Sequence, residues 1–171
     1  MLAGTDVLGL PDTMSASSQQ EPVRIYLDVC CINRPLDDQA QERVRNESEA
    51  VLHVLAGVAL GWWQWVTSEM VTVELQRTPD PDRKEFLLAI ARRASYSVTI
   101  QESQVQRAQA LARHGIEYHD GLHVACAEAG GVRVFLTVDD VLMRRLRRIE
   151  GQLRVVVRNP CDWLREIGRW K

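Results

Sequence analysis

Short apolar runs alternate along the chain with longer amphipathic stretches, and this alternation leaves few folds open. The strand candidates are VRIYL (23–27), WWQWV (62–66), YSVTI (96–100), VRVFLTV (132–138) and LRVVV (153–157). Stretches of helical periodicity separate them, the longest from Gln39 to Leu60. Strands joined through helices need crossover connections, which build a mostly parallel sheet with helices on both faces. We therefore predict an α/β protein with a three-layer α/β/α architecture.

The connecting helices are predicted from apolar periodicity and from capping residues. Thr67 and Ser68 offer an N-cap for a helix that reaches Leu75. A helix from about Asp120 is expected to stop at the Gly-Gly pair 130–131. The remaining helices are predicted over residues 83–94, 103–114, 139–149 and 159–167.

The length of 171 residues fits one domain. Residues 1–22 are rich in Ser, Gln and small residues and lack periodicity, so we expect a flexible leader before a folded domain over 23–171. No secretory signal or membrane-spanning run is evident, and the four cysteines lack a disulfide or metal spacing. We expect a cytoplasmic protein with reduced cysteines, in which Cys30 and Cys31 serve mainly in packing.

Four acids stand where an open parallel sheet binds its ligands, near the C-terminal ends of strands. Asp28 and Asp139 follow predicted strands, Asp120 opens a helix, and Glu74 lies two turns into the helix after the second strand. Carboxylates packed together repel one another, and a divalent cation relieves that repulsion. Asp28, Asp120 and Asp139 are therefore candidate Mg²⁺ ligands. Glu74 is a candidate ligand or water-orienting group. Each acid alone also suits a cap or an exposed helix position, and that alternative stays open.

Several segments together resemble the PIN domain, the fold of VapC-like toxin ribonucleases. They are IYLDVCCINRPLDDQ, VTSEMVTVELQRTPD, YHDGLHVACAEAG, VFLTVDD and VVVRNPCDWLREI, and the resemblance extends over residues 23 to 168. It implies endonucleolytic cleavage of RNA that depends on Mg²⁺ or Mn²⁺. It also implies a toxin that is held inactive by an antitoxin protein and that forms a homodimer. Carried over by position, the catalytic acids are Asp28, Glu74, Asp120 and Asp139.

Some positions depart from the family pattern or compete for a role in it. The family often places a small hydroxyl or amide residue after the first acid, where this chain has Val29 and Cys30. Asn33 is a candidate for the missing polar group, and Thr137 is a candidate supporting residue. Glu69 competes with Glu74, which aligns better. Asp140 competes with Asp139 for the last ligand, or supports it.

The charge is unevenly distributed along the chain. Residues 141–171 contain nine basic and three acidic side chains, a net +6, whereas the remainder has a net −8. Arg144, Arg145 and Arg148 are candidate contacts to the RNA backbone. A solvated helix face with salt bridges is the alternative.

Other patterns allow different functions. His119 and His123 are spaced four apart, as in zinc sites, but no third ligand has a suitable spacing; His123 falls inside the resembling motif as a supporting residue. The three tryptophans between 62 and 65 favour packing over base stacking. The main alternative function is a non-catalytic PIN-fold interaction or RNA-binding module. A phosphatase with Asp28 as nucleophile fits less well, since such enzymes usually have a second acid where Cys30 stands.

Overall fold

Five parallel strands form the central layer of the computed structural model, which describes residues 22–170. The strands are β1 (Val23–Leu27), β2 (Trp63–Ser68), β3 (Tyr96–Val98), β4 (Val134–Leu136) and β5 (Val156–Arg158). Their order in the sheet is β3-β2-β1-β4-β5, and every neighbouring pair is parallel. β1 therefore lies at the centre, and its C-terminal end adjoins the ends of β2 and β4. The predicted leader lies outside the described residues, apart from Pro22.

Eight α-helices flank this sheet within the described part of the chain. They are α1 (Val29–Asn33), α2 (Glu42–Ala59), α3 (Glu69–Gln76), α4 (Pro81–Ala91), α5 (Glu102–Ala112), α6 (Tyr118–Ala129), α7 (Asp140–Arg147) and α8 (Pro160–Glu166). Short 3₁₀ turns follow α1 and α7, at Arg34–Leu36 and Glu150–Gln152. No helix among residues 22–170 is both long enough and apolar enough to cross a bilayer.

Alternate residues along each strand pack on opposite faces of the sheet. Tyr26 of β1 contacts His123 of α6 on one face. On the other face, the Nε1 of Trp63 donates to the carbonyl of Val54 in α2 at 2.8 Å, and its ring packs against Trp163 of α8 at 4.9 Å between centroids. Helices thus cover both faces, which confirms the predicted three-layer α/β/α architecture.

Local capping chemistry sets where several helices begin. Ser68 caps α3 as predicted, and its side chain accepts a hydrogen bond from the backbone N–H of Val71. α4 begins at Pro81, two residues before the predicted start, because the side chain of Asp80 accepts from the N–H of Arg83.

Three features near the site differ from the sequence prediction. α6 begins at Tyr118 with the extended Glu117 as its N-cap, so Asp120 lies inside the first turn and does not start the helix. Residues 29–33 form the helix α1, which is not predicted, and the chain then turns through the 3₁₀ segment Arg34–Leu36. β4 and β5 are also only three residues long, because the sheet ladder pairs fewer residues than the apolar runs contain.

Candidate active site

Asp28 is held at the point where β1 passes into α1. Its backbone N–H donates to the carbonyl of Leu136 in β4 at 3.0 Å, which ties the two strand ends together. The carboxylate is 7% exposed, and its Oδ2 accepts hydrogen bonds from Thr137 Oγ1 at 2.8 Å and from Cys30 Sγ at 3.0 Å. Its Oδ1 accepts no hydrogen bond from the described residues. One oxygen is therefore fixed by protein donors, and the other is left for an outside ligand.

Cys30 has a different role from its neighbour. Cys31 is buried in the core, as its apolar character predicts. The thiol of Cys30 instead contacts the carboxylate of Asp28 and lies 3.2 Å from Thr137 Oγ1. It stands where the PIN pattern has a small polar residue, and it provides a hydrogen-bond donor there.

Asp139 and Asp140 lie at the start of α7 and make different contacts. Asp139 is the N-cap of this helix, and its Oδ1 accepts from the N–H groups of Val141 at 2.7 Å and Leu142 at 3.0 Å. The backbone N–H of Asp139 also donates to Thr137 Oγ1, the hydroxyl that donates to Asp28. Asp140 forms an ion pair with Arg43, with an Oδ1–Nη2 distance of 2.8 Å. Its carboxylate is thus already neutralised, whereas Asp139 is linked to Asp28.

Asp120 lies half-buried in the first turn of α6 and accepts no hydrogen bond from the described residues. Its pKa is raised from 3.8 to about 6, first by burial and then by repulsion from Asp28, Glu117 and Asp139. This electrostatic coupling shows that aspartates from β1, α6 and the β4–α7 connection act on the same region.

Glu74 approaches the site from α3 and meets His123 of α6. Glu74 Oε2 and His123 Nε2 are 3.3 Å apart, outside good hydrogen-bond alignment, so the contact is chiefly electrostatic. Burial raises the pKa of Glu74, but His123, together with the charges of His119 and Arg77, outweighs this and the pKa is lowered overall. Burial lowers the pKa of His123, yet Glu74, Asp28 and Asp120 raise it overall. Glu69 points elsewhere and accepts from the backbone N–H of Ile100 at 2.8 Å.

The donor chemistry of the three aspartates suits a hard divalent cation. Asp28, Asp120 and Asp139 each have a carboxylate oxygen without a hydrogen bond from the described residues, and Mg²⁺ prefers oxygen ligands. Within residues 22–170, however, no three His, Cys, Asp or Glu side chains are grouped closely enough to hold a metal ion together. Mg²⁺ commonly keeps several waters and uses only one or two carboxylates directly, so these residues fit it.

The remaining predicted residues lie farther from this centre or serve other contacts. Asn33 donates to the carbonyl of Val29 at 3.1 Å and accepts from Arg83 at 2.9 Å, so it links α1 to α4. Arg144, Arg145 and Arg148 are exposed along α7, opposite the buried apolar side of that helix. Their position agrees with either a nucleic-acid contact or a solvated face.

Two groups of residues in this region have no signal in the sequence. A hollow of about 420 Å³ beside Asp139 is also lined by Cys30, Arg34 and Arg43. Tyr26 and Ser68, both buried, hydrogen-bond each other beneath His123. Both the hollow and these hydrogen bonds bring together residues that are far apart in the chain, so no local sequence motif predicts them.

Comparisons with known proteins were informative for the fold. A scan of protein-family models and a search of curated protein sequences found no match. A solved structure, that of VapBC2 from Rickettsia felis bound to a DNA fragment from their promoter, contains a chain that is similar to this one with a TM-score of 0.54 and 13% identity. The match covers 80% of this chain and 98% of that chain. At this identity the likeness shows a shared fold, in agreement with the PIN-like α/β/α architecture.

Proposed function

We propose that this protein is a PIN-type endoribonuclease that depends on Mg²⁺ or Mn²⁺ and acts as the toxin of a toxin–antitoxin pair. The observation that most supports this proposal is the meeting of acids from separate elements at one edge of the sheet. The hydroxyl of Thr137 donates to the carboxylate of Asp28 and accepts from the backbone N–H of Asp139, and both acids raise the pKa of Asp120. Neighbouring carboxylates without compensating positive charge destabilise a protein, and they are expected where a cation binds.

In this proposal, Asp28, Asp120 and Asp139 would hold the cation, one or two of them directly and the rest through its bound waters. Once bound, the cation would supply positive charge at the scissile phosphate. Asp28 is fixed for this role, since Thr137 and Cys30 both donate to its Oδ2. The fixed geometry lets the site bind a ligand without reorganising its side chains.

Glu74 is suited to orient the attacking water. Its pKa is lowered by His123, so the carboxylate is ionised at neutral pH and accepts a hydrogen bond from water. Arg144, Arg145 and Arg148 form an exposed basic surface along α7 and its C-terminal end. These arginines are proposed to hold the phosphates of single-stranded RNA without reading its sequence.

The deciding experiment measures Mn²⁺ binding by calorimetry and RNA cleavage on the same samples. Asp28→Asn keeps the shape of the side chain but removes its charge, so we expect metal affinity to fall by more than tenfold and cleavage to be lost. Glu85→Gln is the matched control, because Glu85 is exposed on α4 and makes no hydrogen bond or ion pair with other described residues.

Absence of Mn²⁺ binding by the wild type at millimolar concentration would overturn the nuclease proposal. The non-catalytic interaction module would then take its place. Binding and cleavage that both survive in Asp28→Asn would show that the catalytic centre lies elsewhere.

The antitoxin partner and the homodimer are part of the same proposal. They rest on the PIN resemblance of the sequence and on the fold shared with a chain of the VapBC2 complex. Sedimentation of the purified chain tests the homodimer, for which we expect a mass near twice 19.4 kDa.

A further inference from the structure

A continuous line of buried polar groups runs beneath Glu74. Ser68 Oγ lies 2.6 Å from the hydroxyl of Tyr26, which lies 2.8 Å from His123 Nδ1. His123 Nε2 then faces Glu74 Oε2 at 3.3 Å. We call Ser68, Tyr26 and His123 the relay. Its members come from the end of β2, from β1 and from α6, and it reaches Glu74 on α3.

The relay is sealed from solvent. Ser68 and Tyr26 are fully buried and His123 is 1% exposed. The ring of Tyr26 stacks on Phe135 with centroids 5.4 Å apart, and the ring of His123 packs edge-on against Tyr26 at 5.9 Å. Both rings are therefore fixed in place, and their polar atoms must find partners within the protein.

The identities of the partners set the direction of these hydrogen bonds. A carboxylate only accepts, so the hydrogen of a neutral His123 is best placed on Nε2, which faces Glu74. Nδ1 is then an acceptor for the hydroxyl of Tyr26. That hydroxyl in turn accepts from Ser68, whose oxygen already accepts from the N–H of Val71. The two hydrogen bonds of the relay thus run toward His123, whose Nε2 faces the carboxylate of Glu74 at 3.3 Å without an aligned hydrogen bond.

We propose that Tyr26 and His123 are positioning residues, which fix the orientation of Glu74 by presenting the Nε2–H of His123 to its carboxylate. The catalytic role of this positioning rests on the function proposed above. The tautomer of His123 does not depend on that function. Glu74 needs such support because its long side chain comes from a helix face that is partly exposed. Without His123, no other described side chain lies within ion-pair or hydrogen-bond distance of it.

Nitrogen-15 NMR of the imidazole rings tests the tautomer on the wild-type protein. The resonances of His123 are identified by their loss in His123→Asn. We expect a protonated Nε2, with chemical shifts that move in Tyr26→Phe and in Glu74→Gln. An Nε2 without a hydrogen, or an Nε2 resonance unmoved by Glu74→Gln, would overturn the proposal.

Cleavage kinetics test the positioning role. Tyr26→Phe removes one hydroxyl and retains the stacked ring, so we expect kcat to fall about tenfold while KM and Mn²⁺ affinity stay within twofold. In a Glu74→Gln background the same change should have no further effect, because the group that it positions is already gone. Tyr96→Phe is the matched control, on an exposed tyrosine of β3.

The two ways to fail are distinguishable. Equal losses from Tyr26→Phe with and without Glu74 would mean that the hydroxyl only stabilises the fold, and the positioning role would be overturned. A wild-type protein that binds Mn²⁺ but cleaves no RNA would overturn the proposed function instead. In that case the nitrogen-15 NMR spectra of His123 would be the remaining test of whether the relay orients Glu74.

Discussion

Asp120 has the most strongly perturbed carboxyl group of the site. Its pKa is about 6 in the folded protein, against an ordinary value of 3.8. Between these values the folded state binds more protons than the unfolded state. Stability therefore falls as pH rises through this window, and above pH 6 the ionised side chain opposes folding. A residue that weakens its own fold at neutral pH is typical of a binding or catalytic site.

Replacing this carboxylate should stabilise the protein where the carboxylate is charged. We expect Asp120→Asn to raise the free energy of unfolding by about 1 kcal/mol at pH 8, less than the full pKa shift implies because the side chain is half-exposed and screened. At pH 4 the two proteins should be nearly equal. Urea unfolding at both pH values measures this.

Glu85→Gln serves as the control, since Glu85 is exposed and makes no hydrogen bond or ion pair with other described residues. A gain from Asp120→Asn that is the same at pH 4 and pH 8 would show that charge repulsion is not its cause. Mn²⁺ should stabilise the wild type more than the variant, because the cation relieves the same repulsion.

At the level of elements, the buried carboxylate of Glu47 joins α2 to other segments that surround the site. Glu47 is 3% exposed, and its oxygens lie 3.0 Å from Arg34 Nε, 2.9 Å from Arg43 Nε and 3.0 Å from Asn159 Nδ2. Arg43 extends this network to Asp140 at the start of α7. Glu47 thus joins α2 to the segment after α1 and to the β5–α8 connection, and Arg43 continues the network to α7.

Truncation of Glu47 should therefore loosen several elements at once. We expect Glu47→Ala to lower the free energy of unfolding by about 2 kcal/mol, because it removes the buried acceptor shared by Arg34, Arg43 and Asn159. The exposed Glu49→Ala on the same helix should change it by less than about 0.5 kcal/mol. Chemical denaturation of both variants checks this, and equal effects would contradict the role of the network.

Elements with local signals are predictable from the sequence. The apolar run of β1 and the serine cap of α3 are examples, and both lie where predicted. α1 escapes prediction because five residues are too few to show helical periodicity. The start of α6 is predicted two residues late because Asp120 is a common N-cap, whereas the chain uses Glu117.

The positions of two of the acids can be predicted from the sequence for a related reason. Parallel strands place their C-terminal ends together, so the order of residues in the chain is enough to predict Asp28 and Asp139 at one edge. The relay cannot be predicted in this way, because Tyr26 and His123 are 97 residues apart and Tyr26 looks like any other apolar residue of a strand. The pairing of Arg43 with Asp140 spans the same separation. Only the packed fold brings such partners together.

The whole molecule presents a basic surface beside an acidic centre. Arg144, Arg145 and Arg148 are exposed on α7, which begins at Asp139. Changing all three to Gln should weaken binding of single-stranded RNA and reduce the slope of log affinity against log salt by about 2, since each phosphate contact contributes roughly 0.7. Filter binding over a range of salt concentrations measures both effects.

The control for this prediction changes exposed arginines outside that helix, namely Arg92, Arg93 and Arg113. These substitutions also remove three positive charges, so they separate the local surface from overall charge. Equal losses in the two triple variants would mean that α7 has no special part in RNA binding.

The central place of β1 in the sheet affects how the protein is made. β1 is the first strand of the described residues, yet it pairs with β4, and the hydrogen bond from Thr137 to Asp28 joins residues 109 positions apart. On the ribosome, β1 must therefore wait for most of the chain before its second neighbour exists. Asp139 emerges later still, so a nascent chain has no complete acidic centre.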